Sequence, residues 1–243
     1  LDAAVKCYEQ ALAIKPDYAE AYHNHGNVLL NLKRQYEALA SYESAITLKP
    51  DLDYILGDLV HTKMYLCLWD DLANRLNELT EKINNSEKVL NPFPLLALID
   101  DPEIQRKTAE IYAKERYPQS HVLPKIEPYP KHKKIRIGYF SADFRNHAVA
   151  HLISELFEIH DRNQFEIHAF SFGQDTKDEM NLRIKVGVDH FHDVRTMSDI
   201  DVVMLARSVE LDIAVDLGGF TQDCRPNMFA EGSAPIQVSY LGY

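Results

Sequence analysis

Two histidines one helical turn apart, His147 and His151, close a stretch in which the strand-like run Lys134-Ile135-Arg136-Ile137-Gly138-Tyr139-Phe140 passes into the polar loop Ser141-Ala142-Asp143-Phe144-Arg145-Asn146. At a helix start the positive end of the peptide dipole disfavours imidazolium, so His147 is suited to accept a proton. His151 lies four residues on, along the same helix face. Two other readings stay open: His147 only hydrogen-bonds the helix start, or the pair ligates a metal. For the metal, no HExxH glutamate accompanies the pair and no third ligand is evident.

Three further groupings could carry chemistry. Leu217-Gly218-Gly219-Phe220-Thr221-Gln222 combines glycines that let backbone approach a ligand with a hydroxyl and an amide of the kind a sugar needs. Asp199 and Asp201 form a DxD that elsewhere holds a metal and a nucleotide sugar, yet Ser198 and Asp199 precede an apolar helix and are better read as its cap. His190 and His192 put two imidazoles on one face of a short strand, where they could bind a metal. More often such residues line a wet strand edge. Neither GxGxxG nor the Walker pattern is present.

These residues need a frame to hold them. Beyond residue 134, short Ile-, Val- and Phe-rich strands (about 134–140, 165–172, 189–194, 212–217 and 236–241) alternate with helices (about 148–160, 178–187 and 199–210), which predicts a parallel, doubly wound sheet of Rossmann type. Such sheets bind ligands beyond the carboxyl ends of their strands. Three loops fall there: Ser141 to His147, Ser171 to Lys177, and Leu217 to Gln222 with its Gly218-Gly219 pair.

The first part of the chain is different. Residues 1–17 and 35–51 match at Ala4/Ala38, Tyr8/Tyr42, Glu9/Glu43, Ala11/Ala45, Lys15/Lys49, Pro16/Pro50 and Asp17/Asp51, an offset of 34 residues. With small residues at Gly26, Ala38 and Ala45 and a helix stop at Pro50, this is the tetratricopeptide pattern. Repeats are expected over 1–50, a helical capping and transition region over 51–117, and a proline-rich linker over 118–133. Residues 134–243 form the α/β lobe. Within the transition region, 53–68 followed by Trp69-Asp70-Asp71-Leu72 reads as a capping helix pair, and 73–118 reads as helix broken near 84–86 and 91–94. A repeat array is either a peptide-binding groove or a spacer.

Composition sets outer bounds. The 243 residues carry a formal net charge of -11, which argues against nucleic acid and anionic membranes as partners. Cys7, Cys67 and Cys224 are widely spaced with no CxxC pattern, as suits a reducing cytoplasmic setting. No apolar run approaches the roughly 18 residues of a spanning helix. The chain opens on Leu1 without methionine and reads as an internal piece of something longer.

Taken together, the repeats, the Trp69-Asp70-Asp71-Leu72 segment and Ile135-Arg136-Ile137-Gly138-Tyr139-x-Ser141-x-Asp143-Phe144-x-x-His147-x-x-x-His151-Leu152 resemble the O-linked N-acetylglucosamine transferase and SPINDLY family in its bacterial branch. Asp212-Ile213-Ala214-Val215-Asp216-Leu217-x-Gly219-Phe220-Thr221 and Ala234-Pro235-Ile236-Gln237-Val238-x-x-Leu241-Gly242-Tyr243 extend the likeness. The resemblance implies a repeat solenoid followed by the first of two Rossmann-like lobes of GT-B type. It also implies an inverting, metal-independent transferase that moves a sugar from a nucleotide sugar, UDP-N-acetylglucosamine foremost, onto Ser or Thr of proteins held by the repeats. No cofactor and no metal ligand is expected. His147 is then the catalytic residue, as base or as substrate contact, with Asp143, Asn146, His151, Asp216, Gly219, Thr221 and Gln237 as substrate contacts. The sequence stops before the second lobe, so the chain alone is expected to be incompetent. The alternative is a noncatalytic repeat module that binds proteins.

Overall fold

The computed structural model describes residues 1–118, 122–127 and 129–242; residues 119–121 and Pro128 of the expected linker and Tyr243 of the last motif lie outside the described residues. The chain divides into two compact units, Leu1–Arg116 and Tyr117–Tyr243, so the segment expected as a linker belongs to the second.

The first unit is helical: α1 (Asp2–Ile14), α2 (Ala19–Asn31), α3 (Gln35–Leu48), α4 (Ile55–Tyr65), α5 (Leu72–Asn84), the short α6 (Pro92–Leu95) and α7 (Pro102–Arg116). Helices α2 and α3 form the full repeat, and Pro50, unable to continue a helix, follows the end of α3. Their contact depends on Gly26, where an added Cβ would lie 2.4 Å from the Tyr42 ring. Tyr42 is fully buried and donates its hydroxyl hydrogen bond to Asn27 Oδ1 at 2.7 Å. One core gathers Val5, Leu29, Ala38, Tyr42, Ala45, Ile55 and Leu59; a second gathers Leu56, Val60, Leu79, Ile83, Leu90, Leu95 and Ile104. The expected capping pair differs in one place: residues 66–71 make a turn, with Cys67 (φ 55°) and Asp71 (φ 61°) left-handed. The second helix therefore starts only at Leu72.

Two histidines make this unit acid-sensitive. The Ser41 hydroxyl donates to the Glu37 carbonyl, so its oxygen accepts from His25 Nδ1 at 3.0 Å. His25 Nε2 is left buried without a partner, and a proton there would have no acceptor. Burial lowers the pKa of His25 and of His61 below the ordinary 6.5. The unfolded imidazoles therefore take up protons first, and their contribution to stability, full above pH 6.5, is lost as the pH falls below it. Thermal unfolding is expected at a lower midpoint at pH 5 than at pH 7. The double variant His25→Gln/His61→Gln should flatten that difference, and a wild-type midpoint equal at both values would contradict the account.

The second unit carries β1 (Ile135–Ser141), α8 (Ala148–Ile159), β2 (Phe165–Ser171), α9 (Glu179–Gly187), β3 (His190–Asp193), α10 (Asp199–Ser208), β4 (Ile213–Asp216), α11 (Asn227–Ala230) and β5 (Ile236–Ser239). All pairings are parallel, in the order β3-β2-β1-β4-β5. Side chains alternate across the sheet. Ile137, Tyr139, Ile167, Ala169 and Val215 pack with Ala150, Ile153 and Phe157 of α8 and Ile184 of α9. Phe140, Phe170 and Ala214 pack with Val202, Val203 and Ala206 of α10 and Met228 of α11. Burial on both faces of the inner strands explains why β1, β2 and β4 read as near-continuous apolar runs, whereas the edge strand β5 is exposed along its length. No helix among the described residues is long and apolar enough to cross a membrane.

Candidate active site

The strand order reverses direction between β1 and β4, the switch point at which open parallel sheets leave a crevice beyond the carboxyl ends. Phe140 of β1 is in register with Asp216 of β4. The loops leaving these two strands thus flank one crevice, and they are two of the three loops singled out in the sequence, the third leaving β2 beside β1.

The first loop is tied at each step. The Asp143 N–H donates to Ser141 Oγ at 2.9 Å, and the Asp143 carboxylate receives Arg145 at 3.0 Å. His147 is the N-cap of α8 in extended conformation, its Nδ1 accepting from the Val149 N–H at 3.3 Å. Asp143 lies 3.6 Å from the same Nδ1, too long for a hydrogen bond. With its Nδ1 lone pair occupied by a backbone donor, the neutral ring carries its proton on Nε2. In that tautomer His147 presents an Nε2–H, on a side chain 40% exposed. Asn146 and His151 are paired with each other, Oδ1 to Nε2 at 2.8 Å. The ring nitrogens of the two histidines thus address separate partners.

The second loop is closed by its own polar groups. Asp216 accepts from the Gly218 N–H (2.9 Å) and the Gly219 N–H (3.2 Å). Burial raises its pKa while those two donors act in the opposite direction. Thr221 donates its hydroxyl to the Gly218 carbonyl at 2.6 Å. Gly219 has φ 54°, a conformation that favours glycine. Asp216 and Thr221 therefore shape the loop, and the Gly219 backbone is buried, with Gly242 packed close against Gly218 and Gly219. Gln237 stands apart. It pairs in register with Ala214, short of the strand's carboxyl end, and its amide is taken up by the Ser233 N–H and the Phe229 carbonyl, each at 3.0 Å. It lines a different hollow of about 410 Å³, with Leu123, Arg207 and Phe229.

Several residues that hold the site were not evident in the sequence. Asp178, N-cap of α9, accepts from the Asn146 N–H at 2.8 Å. Bonds from the Thr176 hydroxyl and from the Asn146 and Asn181 N–H groups push its pKa down to about 2. Asn181, almost fully buried, donates to the Phe144 carbonyl at 2.7 Å. A cap signal, Thr176-Lys177-Asp178 before a helix, marks Asp178; nothing local marks its reach to residue 146. Gly173 and Gly242 are close-approach positions. An added Cβ would lie 1.7 Å from the Ala142 carbonyl oxygen at Gly173, and 2.5 Å from the Gly218 carbonyl carbon at Gly242.

Beside the first loop, Ala142, Arg145, Phe172, Gly173, Gln174, Arg195, Asp223 and Arg225 line a cleft of about 620 Å³. Its guanidinium groups suit phosphate or carboxylate oxygens. Arg225 is held by Asp199 at 2.6 Å and by the carbonyls of Val194 and Met197. Ser198 caps α10 by accepting from the Asp201 N–H. The DxD aspartates thus serve an ion pair and a helix start.

Known proteins give this arrangement a lineage. Residues 1–33 match a TPR repeat and residues 19–52 a tetratricopeptide repeat. The chain is 31% identical over 200 residues to the probable UDP-N-acetylglucosamine–peptide N-acetylglucosaminyltransferase SEC of Arabidopsis thaliana, covering 76% of this chain and 20% of that protein. It is 33% identical over 114 residues to the UDP-N-acetylglucosamine–peptide N-acetylglucosaminyltransferase of Caenorhabditis elegans, covering 46% and 10%. The chain therefore spans a fifth or less of the length of these relatives. In fold it is similar to a mutant O-GlcNAc transferase of Thermobaculum terrenum, with a TM-score of 0.61, 24% identity, and coverage of 98% of this chain and 46% of that one. The model of glycosyl transferase family 41 matches residues 66–243, and the chain belongs to that family.

Proposed function

We propose that this chain supplies tetratricopeptide repeats and the first Rossmann-like lobe of a protein O-glycosyltransferase of the cytoplasm. The enzyme would transfer N-acetylglucosamine, or a related sugar, from a nucleotide sugar to Ser or Thr of proteins. Family membership, together with two loops flanking the switch point, carries the reading.

In the transfer, the acceptor hydroxyl oxygen attacks the anomeric carbon, the bond from that carbon to the phosphate oxygen breaks, and the nucleoside diphosphate leaves. The hydroxyl proton passes to a base. His147 acts through its Nε2–H as a donor to an oxygen that gains charge, the type of contact that strengthens in the transition state. Arg145 and Arg195, paired with Asp143 and Asp193, line the cleft beside the first loop with guanidinium groups that suit a diphosphate. Asp143, Asn146 and His151 order that loop around the ligand. No resident cofactor takes part; the nucleotide sugar is a substrate. The repeats bind the acceptor protein.

The test is transfer by the full-length protein, with UDP-N-acetylglucosamine and with a GDP-sugar, onto acceptor proteins read by mass spectrometry. One added N-acetylhexosamine on Ser or Thr is expected. Peptide binding without transfer from either donor would favour a noncatalytic repeat module instead.

A further inference from the structure

Two imidazoles and a carboxylate converge near the amino ends of β2 and β3, at the other end of the strands from the candidate active site. Glu166 and His168 share one face of β2, and His190 is in register with His168 on the edge strand β3. Both Nε2 atoms approach the same carboxylate oxygen, Glu166 Oε1: His168 at 3.2 Å and His190 at 3.3 Å. The three ligand atoms all lie within 4.8 Å of one another. Tetrahedral ligands about 2.0–2.2 Å from a zinc ion are roughly 3.3–3.5 Å apart, so two of these separations already match the edges of a coordination polyhedron.

From this geometry we infer that Glu166, His168 and His190 form a zinc-class divalent metal site that ties the edge strand to the sheet and takes no part in sugar transfer. The site has the orienting partners that metal ligands require. His168 Nδ1 lies 3.0 Å from His192 Nε2, and the two rings stack 5.3 Å apart at 6°. With His192 as acceptor, His168 carries its proton on Nδ1 and directs its Nε2 lone pair at the centre. Arg136 stands 3.7 Å from the other Glu166 oxygen, leaving Oε1 to the imidazoles. His168 is 4% exposed, so one ligand is fixed in the core, whereas His190 is half exposed and gives an ion a path from solvent. Two nitrogens, one oxygen and an open fourth position suit zinc, nickel or copper rather than magnesium or calcium.

The experiment is calorimetric titration of the metal-stripped chain with Zn2+, alongside thermal unfolding and Co2+ absorption, on wild type, Glu166→Gln, His190→Gln and His151→Gln. Wild type should bind one Zn2+ with a raised unfolding midpoint and a tetrahedral Co2+ spectrum, and should not respond to Mg2+. Each of Glu166→Gln and His190→Gln should weaken Zn2+ binding about tenfold or more, while His151→Gln keeps it. His190→Gln alters an exposed side chain, so it decides the matter if Glu166→Gln fails to fold. Absence of Zn2+ binding in wild type overturns the site, as does unchanged affinity in His190→Gln or loss of binding in His151→Gln. In the full-length protein, sugar transfer should survive metal stripping, and its loss on stripping would overturn the separation of this site from the chemistry.

Discussion

His147→Ala in the full-length protein is expected to lower kcat for sugar transfer by about 10²- to 10³-fold, the usual effect of removing one preorganised donor from a developing negative charge. KM should change little, because a contact that strengthens only in the transition state lowers kcat and kcat/KM together. Fold should survive. The ring is 40% exposed, and its one cap bond to Val149 is long at 3.3 Å, so the stability cost is that of a lost cap, about 1 kcal/mol. Steady-state kinetics beside a melting curve separate the two effects. Unchanged kcat would remove His147 from the chemistry, and a collapsed melting transition would make it a structural residue.

The second large effect is expected at a residue that bears no functional group. In Gly173→Ala the new Cβ would fall 1.7 Å from the Ala142 carbonyl oxygen, 2.6 Å from its carbon and 2.9 Å from its Cα. These are backbone atoms, which no rotamer change can move aside. Since the Phe172 N–H is bonded to the Ser141 carbonyl at 3.1 Å, both strand ends are pinned, and the clash must displace the loop that carries Asp143 to His147. A misplacement of about 1 Å costs on the order of 10²-fold in rate, and overpacking costs about 1–3 kcal/mol in stability. Gly187→Ala is the matched control: its Cβ would meet Phe157 Cβ at 3.5 Å and Glu158 Cγ at 3.6 Å, ordinary contacts. It should keep activity. Equal activity of Gly173→Ala and wild type would show that the loop does not need this position.

How far the sequence could be read follows from which signals are local. Tetratricopeptide helices announce themselves through spacing and small residues, so Gly26, Ala38, Tyr42 and Pro50 were legible. The same holds for the alternation of strands with helices, and for the placement of His147 at a helix start. Ser198 as a cap was legible too, because capping is decided within three residues. The turn at 66–71 was not, since its left-handed Cys67 and Asp71 are neither glycine nor asparagine. Nor was the clamp on the first loop. Asp178 and Asn181 reach Asn146 and Phe144 across 32 and 37 residues, and that pairing exists only once β1 and β2 lie in register. Gln237 was assigned by motif, while its amide is consumed within its own connection. His190 and His192 were visible as a pair on one strand face. Their neighbours Glu166 and His168 come from another strand, and stacking of His192 on Phe170 at 4.6 Å makes that edge drier than the spacing suggests.

The central claim is that the loops leaving β1, β2 and β4 form a substrate-binding half-site. It is tested most directly by nuclear magnetic resonance on the isotope-labelled chain, titrated with a Ser/Thr acceptor peptide and UDP-N-acetylglucosamine. Amide shift changes should cluster at 143–147, 172–178 and 217–221, and the amides around Glu166 and His190 should stay still. Shifts confined to other surfaces, or none at saturating ligand, would contradict the account.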